Sequence, residues 1–329
     1  PTHFVRAIGC RVVDTAGITY IDCTMALGAV ALGYAEPRVT QAVVEAATAG
    51  NVAGLSSLRE VELAERLCSV LPCAEQVQFL KTGAEAVAAA VRLARTYTGR
   101  DVVVASGYFA GSVDFGGGAL ASAGGNDAFT ARYDSAGGHA WSRRWGNTGE
   151  DKAYGVAVDR LGNVGVTGIF TNSVDFGGGP IANAGGTGSG DIFLVKLSAS
   201  GVHTWSRGFG SSLVANQNAY AIAFDGDDNV LVTGGMVALN APYTLDLGGG
   251  PLTGDGYTNP FIAKYRSDGV HVWSKRWLAG SGHAAGEVIA ADGSGNVISA
   301  GYYNNSINFG GTTMTSPGWT DTFLVKLGP

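Results

Sequence analysis

The chain has 329 residues, 46% of them hydrophobic and 15% charged, enough for two domains with sizeable cores. No apolar run reaches the ~18 residues of a membrane span, and a net charge of −6 without a basic stripe excludes a nucleic-acid partner. Glycine is the anomaly, with 52 residues: only 9 prolines and no three-residue period exclude collagen, and 13 Phe, 12 Tyr and 6 Trp argue against disorder.

The glycine excess has an abrupt onset. Residues 1–106 hold 8 glycines and residues 107–329 the other 44, while all four cysteines fall in the first part and all six tryptophans in the second. Two folding units are therefore expected, 1–106 and 107–329. Cys10, Cys23, Cys68 and Cys73 form no C-x-x-C pair and have no neighbouring His pair, so reduced thiols and no metal site are expected. No signal peptide is visible, and the chain opens on Pro1, as an excerpt or a processed product would.

In chain order, residues 18–22 read as a short strand after the turn signal at 14–17. Val39, Ala42, Val43, Ala46 and Ala47 follow at helical spacing, closed by Gly50. Ser57 and Glu60 make a capping box for a second helix with the stripe Val61, Ala64, Leu67, Cys68 and Leu71, ended by Pro72. Val77 and Phe79 alternate in a strand over 76–80, and a third helix runs from Thr82, capped by Glu85, to Gly99. Small residues and free amides at that helix start favour an anion: a phosphate would sit on Gly83 and Ala84, with Thr82 adding a hydroxyl. The same residues would also make a well-capped helix that binds nothing.

The "TYIDC" segment with Asp22, "LGYAEPRV" at 32–39 and "FLKTGAEAVAAAVRLARTYTGR" at 79–100 carry a resemblance. Residues 5–108 resemble the amino-terminal part of class III, PLP-dependent aminotransferases, the glutamate-1-semialdehyde aminomutase branch in particular. The resemblance implies a truncated α/β segment whose helix start, Gly83 and Ala84, holds the cofactor phosphate. It also implies a Gly-Tyr-His-Gly segment whose aromatic ring stacks on the pyridine. Gly107-Tyr108-Phe109-Ala110-Gly111 half matches that segment and makes Tyr108 the stacking candidate. In the family a Schiff-base lysine and an acidic partner for the pyridinium nitrogen lie well downstream, and no such context follows residue 111. The lysines there are Lys152, Lys196, Lys264, Lys275 and Lys326, three of them at repeat positions. No catalytic residue and no cofactor are expected, PLP entering only if a partner chain supplies the missing half.

From residue 107 the sequence repeats with a period of 61–71 residues. Phe129, Phe193, Phe261 and Phe323 each precede by three residues a basic one, Arg132, Lys196, Lys264 and Lys326. Trp141, Trp205 and Trp273 follow the first three phenylalanines by twelve, with Gly137, Gly201 and Gly269 between them at the turn of a hairpin. Asp159, Asp225 and Asp292 lead turns that close on Asn163, Asn229 and Asn296. A "VDFGGG"-type loop recurs at 113–118, 174–179, 245–250 and 307–311.

Each complete unit thus contains four short strands and one glycine-rich insertion, the pattern of a β-propeller blade. The run resembles bacterial seven-bladed β-propeller-type repeats, in units of about 107–152, 153–218, 219–282 and 283–329. The first unit lacks its opening strand and the last its Trp-bearing strand, leaving 14 strands of 16, so an open arc is expected rather than a closed ring. The join with the first segment falls at 101–107, where Val102 stands in place of the repeat's asparagine.

The overall expectation is a mainly β chain: a partial propeller-type array preceded by an α/β aminotransferase-like segment. Asp225–Asn229 lacks the glycine and glutamate of a calcium loop, the "FGGG" loops lack the Lys-Ser/Thr of a phosphate loop, and the histidines show no metal spacing. The favoured function is a non-catalytic module for binding or scaffolding, its partner an unknown protein or carbohydrate on the repeat surface. The alternatives are a PLP-enzyme fragment completed by a partner chain, and an artefactual gene join. The first segment points to the cytoplasm and the repeats to a secreted or surface location.

Overall fold

A computed structural model describes residues 3–50, 57–71, 74–99, 102–185, 188–211, 217–237 and 243–329. The chain divides into two compact units, Pro1–Ala90 and Val91–Pro329. Pro72, Cys73 and the Arg100–Asp101 step at the expected join lie outside the described residues.

The first unit opens with an antiparallel sheet of β1 (Phe4–Ile8), β2 (Arg11–Asp14) and β3 (Thr19–Ile21). Asp14 closes the β2–β3 turn by accepting the Ala16 and Ile18 amides and the Tyr20 hydroxyl. Three helices follow, α1 (Pro37–Thr48), α2 (Leu58–Val70) and α3 (Gly83–Thr98). Glu36 caps α1 by accepting the Val39 amide, and Ser57 caps α2 at Glu60 as its sequence implies. The strand expected over 76–80 does not form; alternation of two apolar residues makes no strand without a neighbour to take its backbone bonds. Neither α1 nor α2 has a buried residue, and Val43, Leu58 and Val87 are more than 60% exposed. Among the described residues the buried apolar core begins only at Ala128.

The second unit is built of antiparallel sheets that follow one another along the chain. The first contains β4 (Val103–Phe109), the small hairpin β5–β6 (Ser112–Asp114, Ala119–Ala121), β7 (Asp127–Tyr133) and β8 (His139–Trp145), paired in the order β4-β7-β8. The second contains β9 (Lys152–Val158), β10 (Val164–Phe170), the hairpin β11–β12 (Ser173–Asp175, Pro180–Ala182), β13 (Asp191–Leu197) and β14 (His203–Phe209), in the order β9-β10-β13-β14. The third repeats that order with β15 (Gln217–Phe224), β16 (Val230–Met236), the hairpin β17–β18 (Tyr243–Asp246, Pro251–Gly254), β19 (Asn259–Tyr265) and β20 (His271–Arg276). The fourth has β21 (Ala284–Ala291), β22 (Val297–Tyr303), the hairpin β23–β24 (Ser306–Ile307, Met314–Thr315) and β25 (Asp321–Leu327), in the order β21-β22-β25. The chain is mainly β with few helices and no closed barrel.

The cores lie between sheets, not within them. Trp141 and Trp145 of β8 join Val166, Phe170 and Phe193 in one cluster. Ile192 and Leu194 join Val232, Phe261 and Tyr265 in a second, and Leu231 and Ile262 join Val297 and Phe323 in a third. Successive residues of β13 belong to different clusters because side chains alternate across a strand, which is why this strand is buried along its whole length.

A polar clasp repeats at two of these junctions. Trp141 Nε1 donates to Ala199 O at 3.0 Å and Arg143 Nε to Gly201 O at 3.1 Å. Trp205 Nε1 donates to Ser267 O at 3.0 Å and Arg207 Nε to Gly269 O at 2.7 Å. Gly201 and Gly269 have φ of +77° and +82°, and a Cβ on either would fall within 2.8 Å of the tryptophan ring. Both the turn and the close approach therefore require glycine. Gly201→Ala is expected to destabilise the repeat unit by about 2–4 kcal/mol in urea unfolding, combining left-handed strain with overpacking.

Buried aspartates make stability depend on pH. Burial pushes the Asp151 carboxyl up to about 6, against hydrogen bonds from the Asn147 and Thr171 amides, and burial likewise raises Asp191. Above the ordinary carboxylate range the native state then holds protons that the unfolded state has lost, so stability falls as pH rises toward about 6. Asp159 and Asp225 behave oppositely: burial is outweighed by their Asn and Lys partners, which hold them below the usual range, so their contribution is lost on acidification below it. Urea midpoints are expected to decline between about pH 4.5 and pH 6.5, and Asp151→Asn to reduce that slope.

Candidate functional site

At the start of α3 the Thr82 hydroxyl accepts the Glu85 amide at 3.2 Å, and the Glu85 carboxylate accepts the Lys81 and Thr82 amides at 3.0 Å. The Ala86 amide bonds Thr82 O. The amides of Gly83 and Ala84 are the first two of the helix, the positions whose N–H groups have no acceptor within it. The cap and the anion cradle are thus compatible: the box satisfies the amides on either side of those two. Asp22, singled out with the same resemblance, has a structural role. It accepts the Thr24 hydroxyl and amide, the Tyr34 hydroxyl at 2.7 Å and the Met25 amide, and the Thr24 and Tyr34 bonds hold its carboxyl down at about 2.

Tyr108 belongs to the other unit. It lies in β4 opposite Ala128, its ring meets Tyr154 edge-on at 6.4 Å, and Lys152 Nζ sits 5.1 Å above it. Tyr154 in turn lies 5.8 Å from Tyr220, whose hydroxyl burial pushes up to about 12, with Tyr302, Tyr154 and Glu287 adding to the effect. Tyr108, Tyr154, Tyr220 and Tyr302 thus form a row across neighbouring sheets, flanked by Lys152 and Glu287. Tyr154 and Tyr220 occupy β-bulges of β9 and β15, where the register slips against β10 and β16 and turns the side chain out of the ladder. Repeat spacing could have revealed them, because Tyr154 and Tyr220 each precede the turn aspartate by five residues. Sequence reasoning that followed the tryptophans passed over this signal.

The repeat motifs have structural roles. Asp159 accepts the Leu161 and Asn163 amides on one oxygen, and the Asn163 side chain at 2.8 Å and Lys196 Nζ at 3.0 Å on the other. Asp225 with Asn229 and Lys264, and Asp292 with Asn296 and Lys326, repeat this lock. The first three "FGGG"-type loops are held by their preceding aspartate, Asp114 taking the Gly116 and Gly118 amides and Asp175 and Asp246 doing the same in their loops, while Asn308 takes the Gly310 amide in the fourth. The repeat histidine covers the middle glycine: a Cβ on Gly117, Gly178 or Gly249 would come within 2.3 Å of His139, His203 or His271. Among the described residues no cluster of His, Cys, Asp or Glu is placed to hold a metal.

The lysines are largely committed. Lys196, Lys264 and Lys326 are paired with turn aspartates, Lys152 with Glu150 at 2.7 Å, and Lys275 lies over the Trp273 ring. The Gly83 and Ala84 amides are the groups that the resemblance assigns to the cofactor phosphate, and the five lysines named above are each engaged by a neighbour.

Residues 1–125 match the family Aminotransferase class-III. The chain is 44% identical over 108 residues to glutamate-1-semialdehyde 2,1-aminomutase of Methanothermobacter thermautotrophicus, covering 32% of this chain and 26% of that protein. It is 40% identical over 138 residues to the same-named protein of Symbiobacterium thermophilum, covering 42% and 31%. A third relative, 2'-deamino-2'-hydroxyneamine transaminase of Streptomyces kanamyceticus, is 44% identical over 109 residues, covering 33% and 28%. The chain spans about a quarter to a third of the length of these relatives. The match corrects one expectation. Class III aminotransferases are PLP-dependent, so the first segment has an implied cofactor, and the expectation of none is overturned. The amino-terminal 125 residues are similar to class III aminotransferases.

Proposed function

We propose that residues from about 107 onward are a non-catalytic scaffold for ligand binding, a partial β-propeller-type array, joined to a truncated aminotransferase-type segment. The observation that carries this reading is the tyrosine row, in which Tyr108 and Tyr154 are exposed and Tyr220 and Tyr302 partly buried, held by successive sheets that share cores face to face. The order of strands, with one small hairpin inserted before the third, supports blades of one repeating kind. Tyr108 and Tyr154 are 48% and 39% exposed, so their faces and hydroxyls are available to a polar ligand such as an oligosaccharide. The first segment keeps the phosphate-binding helix start, where Thr82, Gly83 and Ala84 would hold PLP through its phosphate.

Two measurements test this. Tyr108→Ala and Tyr154→Ala are expected to abolish binding on an oligosaccharide array while leaving the unfolding free energy in urea within about 1 kcal/mol of the parent; unchanged binding would remove the row from the proposal. PLP is expected to bind non-covalently and to compete with inorganic phosphate. After borohydride reduction, a stoichiometric pyridoxyl-lysine in the mass spectrum would overturn the non-catalytic reading.

A second reading, a PLP-enzyme fragment completed by a partner chain, is favoured by one observation: α1 and α2 carry apolar faces with no buried residue. Mixing with a class III aminotransferase from which the amino-terminal segment has been removed should then restore transaminase activity that neither chain shows alone, and no gain in activity excludes it.

A further inference from the structure

Every later sheet of the second unit begins with a strand that ends in an aspartate turn, and the first sheet does not. β10, β16 and β22 are each paired on both sides, whereas β4, their counterpart, pairs only with β7. β10 and β16 are almost wholly buried, while β4 is partly exposed along its length. Beside this edge is a groove of about 540 Å³ lined by Val102, Val104, Arg132, Val156, Val158 and Arg160 among others. Its lining is mixed, valines beside Asp159, Arg160 and Arg132, and of the two arginines Arg160 is paired with Asp228.

The other arginine supplies an independent observation. Arg132 stands at the position of Lys196, Lys264 and Lys326, each of which is ion-paired to the aspartate of its own sheet's first turn. Among the described residues no ion pair is formed by Arg132; its Nη1 donates instead to the Gly162 and Ala199 carbonyls. The edge therefore lacks the strand, and Arg132 the carboxylate, that this repeat would bring; Asp159 also lines the groove, but its carboxylate is already paired with Lys196.

We propose that the open edge of β4 accepts an extended peptide from another protein, with alternating apolar residues ending in an aspartate that meets Arg132. The second sheet supplies the template. β9 pairs with β10 through Val158↔Val164, Ala157↔Gly165 and Val156↔Val166, followed at once by Asp159. Transferred to β4, the same register sets the ligand's last three strand residues against Val103, Val104 and Ala105. Backbone bonds to the edge supply affinity, alternate side chains enter the groove, and the carboxylate fixes the register. This inference is independent of what occupies the tyrosine row.

The test is titration of the full chain with a labelled synthetic peptide of the sequence of residues 153–163, AYGVAVDRLGN, followed by hydrogen exchange. Saturable binding is expected, with new amide protection confined to Val103–Phe109. Replacing the peptide's aspartate with asparagine should weaken binding at least roughly tenfold, the worth of one charge-assisted hydrogen bond. Arg132→Lys should retain binding and Arg132→Gln should weaken it. The proposal is overturned by no saturable binding, by equal binding of a scrambled peptide, by protection elsewhere, or by a chain whose β4 is already covered through self-association.

Discussion

A sheet of three or four strands is closed only when a neighbour covers its face, and in the second unit everything depends on how one sheet meets the next. The contact is made twice over. Alternate residues of the third strand, such as Ile192 and Phe193, feed two different cores, so one strand serves both neighbours. At the rim, Trp141 and Arg143 reach the carbonyls of the following sheet's turn, and Trp205 and Arg207 do the same one sheet later. The apolar term supplies most of the stabilisation, and the clasp fixes the rotation between sheets, because indole and guanidinium must find acceptors that only the correct turn presents.

Within each of the three later sheets a second lock holds the first hairpin to the third strand, as when Asp159 gathers Asn163 and Lys196. A carboxylate so fully used has nothing left for a metal ion, and a lysine so paired is a poor nucleophile. The residues that look most reactive in the sequence are therefore the ones most tied to architecture. The tyrosine row and the unpaired edge of β4, on which the two proposals rest, are made of residues with no role in the lock.

The first unit rests on different physics. Its helices are set by local devices: Glu36 on α1, Ser57 on α2 and the Thr82–Glu85 box on α3. Caps define where a helix begins but bury nothing, and the apolar faces of α1 and α2 remain exposed. That is the condition of a segment covering only a quarter to a third of its relatives' length.

Much of this was legible in the sequence because it is local or periodic. Capping boxes, Asp-x-x-x-Asn turns and hairpin glycines act within a few residues, and their spacing reports them directly. The 76–80 strand failed for the same reason in reverse: two alternating residues cannot report whether a partner strand exists. The sequence also showed Val102 in place of the repeat asparagine, but not that Arg132 is left without an aspartate. It could not show that a groove results, that Tyr108 meets Tyr154 and Lys152, or that His139 lies over Gly117. Those neighbours come together only when strands pair and sheets stack, and that proximity belongs to the tertiary structure because no local spacing encodes it.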